Sequence, residues 1–180
     1  MYNGQRSWDI RFYNKFFHYK NIEPKVFAEE LLGESVQIPQ TQDLDSQKIE
    51  NGNFHTLLQN FKVPDDYKFH CFGDEIFVQV DTDRFINHTR TIFDAQWQKM
   101  PFTYLYPLYT PKIDKPKNFL LLKEIARKLC GDFAMMRVDT YCINHKVYIG
   151  ELTFTPEGGT GKFTPNEWDA KLGSLWHMKN

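Results

Sequence analysis

Cysteine is scarce in this sequence. Cys71, Cys130 and Cys142 are the only three among 180 residues. The number is odd and the spacings match no metal-ligand pattern, so neither a disulfide scaffold nor a thiolate metal site is indicated. Reduced thiols of a cytoplasmic protein fit best. A charge excess is also missing: 22 Lys and Arg face 23 Asp and Glu, a formal net charge of −1. That balance argues against a general nucleic-acid or membrane-surface binder. No apolar run approaches the length of a membrane span, no stretch reads as a signal peptide, and there is no internal repeat. Aromatic residues, in contrast, make up 16% of the chain. At this length the expectation is a single domain over 1–180 with a sizeable, aromatic-rich core.

The N-terminal third is the least patterned. Trp8–Lys20 carries a wide aromatic stripe at helical spacing, broken by Asn21-Ile22-Glu23-Pro24. Lys25–Leu32 reads as a short strand and an exit. Residues 33–64 are polar and too long for an ordinary connection, so a mobile loop or insertion is expected there, with a short helix over Phe54–Phe61.

Asp65–Val80 is the clearest hairpin. Tyr67, Phe69 and Cys71 alternate with Lys68, His70 and Phe72; Gly73-Asp74 is the turn; Ile76, Val78 and Val80 alternate after it. Asp81-Thr82-Asp83 follows, then Arg84, His88 and Arg90, a basic patch suited to phosphates or an acidic substrate. The bland alternative is a strand edge protected by charge. Thr91–Lys115 reads as irregular and packed by its aromatics. Phe119–Leu129 reads as a helix with Leu121, Leu122, Ile125, Ala126 and Leu129 inward, ended by Gly131. Near the C-terminus, Thr164-Pro165-Asn166-Glu167 has the form of a capping box, and Trp168, Leu172, Leu175 and Trp176 form a buried stripe.

The stretch Met135–Gly159 concentrates the chemistry. It reads as two strands around an Asn144-His145 turn, interrupted by Arg137, Asp139 and Glu151. Strands rarely carry such charge unless one face is solvated or holds a ligand. Arg137 and Asp139 share one face, as do Glu151 and Thr153. A plain two-residue turn sets Asp139 against Gly150 and sends Glu151 to the opposite face. A longer loop, or a bulge, sets Asp139 against Glu151. Two facing carboxylates call for a cation, and oxygen ligands suit Mg²⁺. Thr155-Pro156-Glu157-Gly158-Gly159 then offers a glycine loop whose N–H groups could hold an anion. An edge hairpin with a solvated charged face is the alternative.

RVDTY, GELTFTP, the glycine pair and KFTPNEWDAKLG together resemble the C-terminal lobe of ATP-grasp enzymes. The nearest resemblance is to the TupA-like ATP-grasp family, associated with bacterial cell-surface polysaccharide and teichuronopeptide synthesis. It runs from Lys20-Asn21-Ile22 to Leu175 and includes NIEPKVFAEELL and DYKFHCFGDEIFVQVDTDRFINH. The resemblance implies an α+β fold, an ATP-grasp C-terminal lobe with a mainly antiparallel sheet and packed helices. It implies ATP and Mg²⁺ as cofactors, and activation of a small-molecule or glycan carboxylate for attack by an amine. By the same resemblance Asp139, Glu151 and Thr153 would hold the metal, and Arg137 would contact the transferring phosphoryl group. Gly158 and Gly159 would serve the acyl oxygen. Glu29, Glu30 and Leu31 would line the adenine pocket, Asp66 would face the ribose, and Lys68 would lie near phosphate.

Two departures stand out. Most ATP-grasp sites have Asn where this chain has Thr153. The family's glycine-rich phosphate loop and lysines lie in a lobe before the hinge that this chain does not include. It is expected to lack that lobe, or to receive it from a partner chain, and alone to have weak or no ligase activity. A rival reading takes Asp81 and Asp83 as the DxD pair of a metal-dependent glycosyltransferase; a third is a non-catalytic nucleotide or glycan binder.

Overall fold

The computed structural model describes residues 34–35, 61–62, 64–82, 87–144 and 146–177. The expected N-terminal helix and the segment Glu29–Leu31 lie outside them, as does most of 33–64. Two short strands, β1 (Glu34–Ser35) and β2 (Phe61–Lys62), pair antiparallel. Phe61 is therefore a strand residue; the rest of the helix expected at 54–61 lies outside the described residues.

The main sheet holds β3 (Asp66–Phe72), β4 (Glu75–Thr82), β5 (Thr89–Phe93), β7 (Met136–Ile143) and β8 (Lys146–Thr153). Its order is β5-β4-β3-β7-β8, and every pair is antiparallel. The β3–β4 hairpin closes at the expected Gly73-Asp74, with Phe72 opposite Glu75 and Gly73 at φ 58°. Strand alternation sends Tyr67, Phe69, Cys71, Ile76, Val78, Val80, Phe93, Met136 and Val138 to one face, where all are buried. Helix α1 (Phe119–Cys130) covers that face and ends at Gly131, whose φ of 52° suits a residue without Cβ. Its inward stripe is Phe119, Leu122, Ala126 and Cys130. Leu121 and Leu129, expected inside, are exposed. Both stripes have helical spacing; the buried one presents Phe119 to Phe69 and Trp97 and sets the small Ala126 in the core.

The 91–115 stretch is less irregular than expected. Thr91–Phe93 completes β5, and β6 (Thr103–Tyr104) pairs with β9 (Phe163–Thr164). With α2 (Glu167–Gly173) these form a smaller layer in which Ile92, Phe102 and Tyr104 pack with Phe77, Phe163, Trp168 and Leu172. The capping box is not made. Thr164 belongs to β9, Asn166 stands at the helix start, and no side chain caps it. Trp168, Leu172 and Leu175 are only half-buried and Trp176 is exposed, because this short helix packs on a small layer and not on the main core.

The β7–β8 hairpin decides the register question. Ile143 pairs with Lys146, so the turn has two residues, yet Asp139 still opposes Glu151. The pairing shifts between Thr140↔Ile149 and Asp139↔Glu151, leaving Gly150 as the extra residue of a bulge. A Cβ at Gly150 would meet the Tyr141 ring at 2.4 Å. Gly150→Ala should therefore cost about 1–3 kcal/mol by forcing that ring aside. The cost should shrink clearly in a Tyr141→Ala background, as measured by urea unfolding of the four variants.

Candidate functional site

The second face of the sheet is polar because alternation places Lys68, His70, Gln79, Asp81, Arg90, Arg137 and Asp139 on it. The register aligns them in rows: Gln79, Lys68, Asp139 and Glu151 are successive cross-strand neighbours, as are His70, Arg137 and Thr153. Phe77 and Ile92 share this face but lie under the β6–β9–α2 layer. That layer leaves the charged end open.

Asp139, 1% exposed, is the centre of the first cluster. Lys68 Nζ lies 2.5 Å from its Oδ2 and 2.7 Å from Asp66 Oδ2. Arg137 donates from Nε to Asp139 Oδ1 at 2.7 Å and from a terminal nitrogen to Oδ2 at 3.0 Å. The same nitrogen donates to Glu151 Oε2 at 3.1 Å, and Thr153 Oγ1 donates to Glu151 Oε1 at 2.6 Å. Arg137 thus supplies the cation that two facing carboxylates require. Burial pushes the Lys68 ammonium toward neutrality, but Asp139 and then Asp66 outweigh it and raise its pKa. Arg137 is likewise raised, with Asp139 overcoming the cost of burial. Both stay charged.

A second cluster lies across β4 and β5. Arg90 grips Asp81 with Nε at 2.6 Å and a terminal nitrogen at 3.1 Å, and reaches Glu157 Oε1 with its other nitrogen at 3.3 Å. Its guanidinium carbon lies 4.8 Å from the Tyr106 ring centre and 5.3 Å from that of Tyr104. Gln79 donates to Asp81 at 2.9 Å and presents its Oε1 to His70 Nε2 at 2.9 Å. Burial opposes ionisation of Asp81, yet the Arg90 hydrogen bonds and charge outweigh it and hold its pKa low.

Between the clusters is a cleft of about 430 Å³ lined by Lys68, Arg90, Arg137, Glu151, Thr153 and Glu157, among others. Ligand pockets span about 300–1,000 Å³. The glycine loop forms one wall as a short 3₁₀ turn, Pro156–Gly159, with Glu157, Gly158 and Gly159 all at positive φ. The Gly158 N–H is spent on Thr155 O at 3.0 Å. Contrary to the expectation of an open loop, that donor does not face an anion.

With this geometry in view, a scan against protein-family models matches the TupA-like ATP-grasp model over residues 56–177, more than two thirds of the chain. The chain belongs to the TupA-like ATP-grasp family. That family implies an ATP-dependent, ligase-like enzyme. No curated protein and no solved structure matches the chain. The match starts at 56, not at Lys20, so the adenine-pocket expectation for Glu29, Glu30 and Leu31 falls outside both the match and the described residues.

Of the remaining expected residues, Lys68, Arg137, Glu151, Thr153 and Gly158 line the cleft. Asp139 sits beneath Arg137 and Lys68, and Asp66 is buried against Lys68. Gly159 faces a separate apolar cavity of about 150 Å³. For the glycosyltransferase reading, Asp81 has both oxygens held by Arg90, much as Asp139 has both held by Arg137 and Lys68; Asp83 lies outside the described residues. Gln79 and the role of His70 went unforeseen. Their signal was the spacing Lys68–His70 and Gln79–Asp81, two polar i,i+2 pairs on paired strands.

ATP-grasp membership also raises the question of Mg²⁺. Among the described residues no three His, Cys, Asp or Glu side chains form a ready-made metal site. The charge balance nevertheless fits a divalent cation. Lys68, Arg90 and Arg137 oppose Asp66, Asp81, Asp139, Glu151 and Glu157, a formal surplus of two negative charges. The side chain of Glu151 is 56% exposed toward the cleft. Mg²⁺ commonly takes one or two carboxylates and completes its shell with water and substrate phosphates.

His70 gives a pH test of this face. Burial lowers its pKa from 6.5 to about 4. Between those values the unfolded chain binds a proton that the folded chain does not, so stability falls as pH falls through that window. Unfolding free energies at pH 7 and pH 5 should differ by about 2 kcal/mol from this residue. A His70→Gln variant should lose that component; an unchanged pH dependence would contradict it.

Proposed function

We propose that the cleft binds the phosphates of MgATP and that the protein works as an ATP-grasp-type ligase activating a carboxylate in bacterial cell-surface polysaccharide synthesis. The single observation that carries this reading is the bulge that brings Asp139, Arg137, Glu151 and Thr153 to one face beside Lys68. Asp139, Glu151 and Thr153 are the proposed metal set, with Glu151 nearest the open cleft. The metal would screen phosphate charge when bound. Arg137 and Lys68, buried and locked in charge, are poised to stabilise negative charge on a transferring phosphoryl group without reorganising. Asp139 serves both by fixing the guanidinium plane and the ammonium position. Asp66 is proposed to act through Lys68, with the ribose contact requiring it to exchange that partner. Gly158 lines the wall that would meet the acyl group, and Gly159, on the side of the apolar cavity, would serve only by turning the loop that carries it.

Calorimetric titration of the full chain with a non-hydrolysable ATP analogue tests this. Binding should require Mg²⁺ and should weaken at least tenfold in Glu151→Gln, equivalent to about 1.4 kcal/mol. Binding that ignores both Mg²⁺ and the Glu151 carboxylate would overturn the proposal.

A further inference from the structure

Arg90 is not among the residues to which the nucleotide reading gives a role, and its surroundings have the features of a binding point. It is buried, charged and fixed. Asp81 clamps two of its nitrogens and the Tyr104 and Tyr106 rings flank it. The third nitrogen turns toward the cleft, where the Glu157 carboxylate meets it at 3.3 Å.

Two observations set that contact apart from an ordinary ion pair. Glu157 holds φ 52° and ψ 27°, a left-handed conformation unfavourable for a residue with a long side chain. Strain of this kind persists only where surrounding structure enforces it, and it gathers at ligand sites. Beside it, His88 Nε2 is buried, lines the same cleft and has no hydrogen-bond partner among the described residues. It lies 3.4 Å from the Asp81 oxygen that Arg90 holds, with its ring stacked on Tyr106 at 3.7 Å. A fixed guanidinium nitrogen and a buried imidazole nitrogen, the latter with only the Asp81 oxygen near it, therefore line the same cleft. A carboxylate has two oxygens to satisfy both. Glu157 reaches only the first.

We infer that Arg90 and His88 form a subsite for the carboxylate of the substrate, and that the Glu157 carboxylate occupies it when no substrate is bound. This rests on the reading of the cleft as a carboxylate-activating site and names the point where that carboxylate docks. Exchange of one carboxylate for another leaves the buried charge count unchanged, so Asp81 and Arg90 need not rearrange. Release of Glu157 also frees the glycine loop from its anchor on β5. Occupation by Glu157 lowers apparent affinity by the fraction of molecules in which the subsite is filled.

The test uses the full chain and D-glucuronate, with D-glucose as the neutral control and inorganic phosphate as a second anion. Binding is read by calorimetry and by the NMR resonance of the Arg90 Nε–H. Glucuronate should bind and glucose should not. Glu157→Gln should tighten glucuronate binding about three- to tenfold, and His88→Gln should weaken it. Both substitutions are at the cleft wall and spare the sheet core. Equal affinity in the wild type and Glu157→Gln, no glucuronate binding to either, or tighter binding of phosphate would each overturn the subsite. The ATP analogue is titrated into the same samples. Intact Mg²⁺-dependent nucleotide binding without a glucuronate response overturns the subsite alone. A Glu157-dependent glucuronate response without nucleotide binding leaves the subsite standing and removes the nucleotide reading.

Discussion

A single buried carboxylate, Asp139, shared by Lys68 from β3 and Arg137 from its own strand β7, governs the charged face of this sheet. Desolvating these groups is costly, and their mutual attraction compensates only when the geometry holds all of them. The geometry follows from backbone register. Lys68 is the direct neighbour of Asp139 across β3–β7, and the Gly150 bulge makes Glu151 its neighbour on the other side. Without the extra residue, Glu151 would point to the apolar face. The bulge is thus the local irregularity on which the site depends.

The same economy explains why one sheet can carry an apolar core and a charged cleft. Each strand contributes alternate residues to both. On one face α1 completes a continuous aromatic and aliphatic packing. On the other, the β6–β9–α2 layer covers Phe77 and Ile92 but stops short of Lys68, Arg90 and Arg137. The rim carboxylates Glu151 and Glu157 tip the balance toward negative charge, the condition under which a divalent cation is favourable.

Much of this was legible in the sequence. Strict alternation in Asp65–Val80 and the Gly73-Asp74 turn identify the central hairpin, and the family resemblance identifies Arg137, Asp139, Glu151 and Thr153 together. The register was not legible, because a two-residue turn and a bulge act in opposite directions and only their combination sets Asp139 against Glu151. The inward stripe of α1 was not legible because two apolar stripes share helical spacing, and only packing against the sheet distinguishes the one that is buried. The capping box failed because Thr164 is drawn into pairing with Thr103. The Arg90 environment was hidden as well: its partners Asp81, Glu157 and Tyr106 come from separate stretches, and a basic residue after a strand reads equally well as edge protection.

The most direct test of this account is a double-mutant cycle between Lys68 and Asp139, read by urea unfolding of wild type, Lys68→Met, Asp139→Asn and the double variant. If Asp139 is the centre of the buried network, each single change removes a buried partner, leaving Asp139 with Arg137 alone or Lys68 and Arg137 with only Asp66 and Glu151, and should cost up to about 3–5 kcal/mol. The double change should then cost less than the sum by at least about 1.5 kcal/mol. Costs that add to within about 0.5 kcal/mol would mean the two groups are energetically independent, and would contradict the claim that their pairing organises the site.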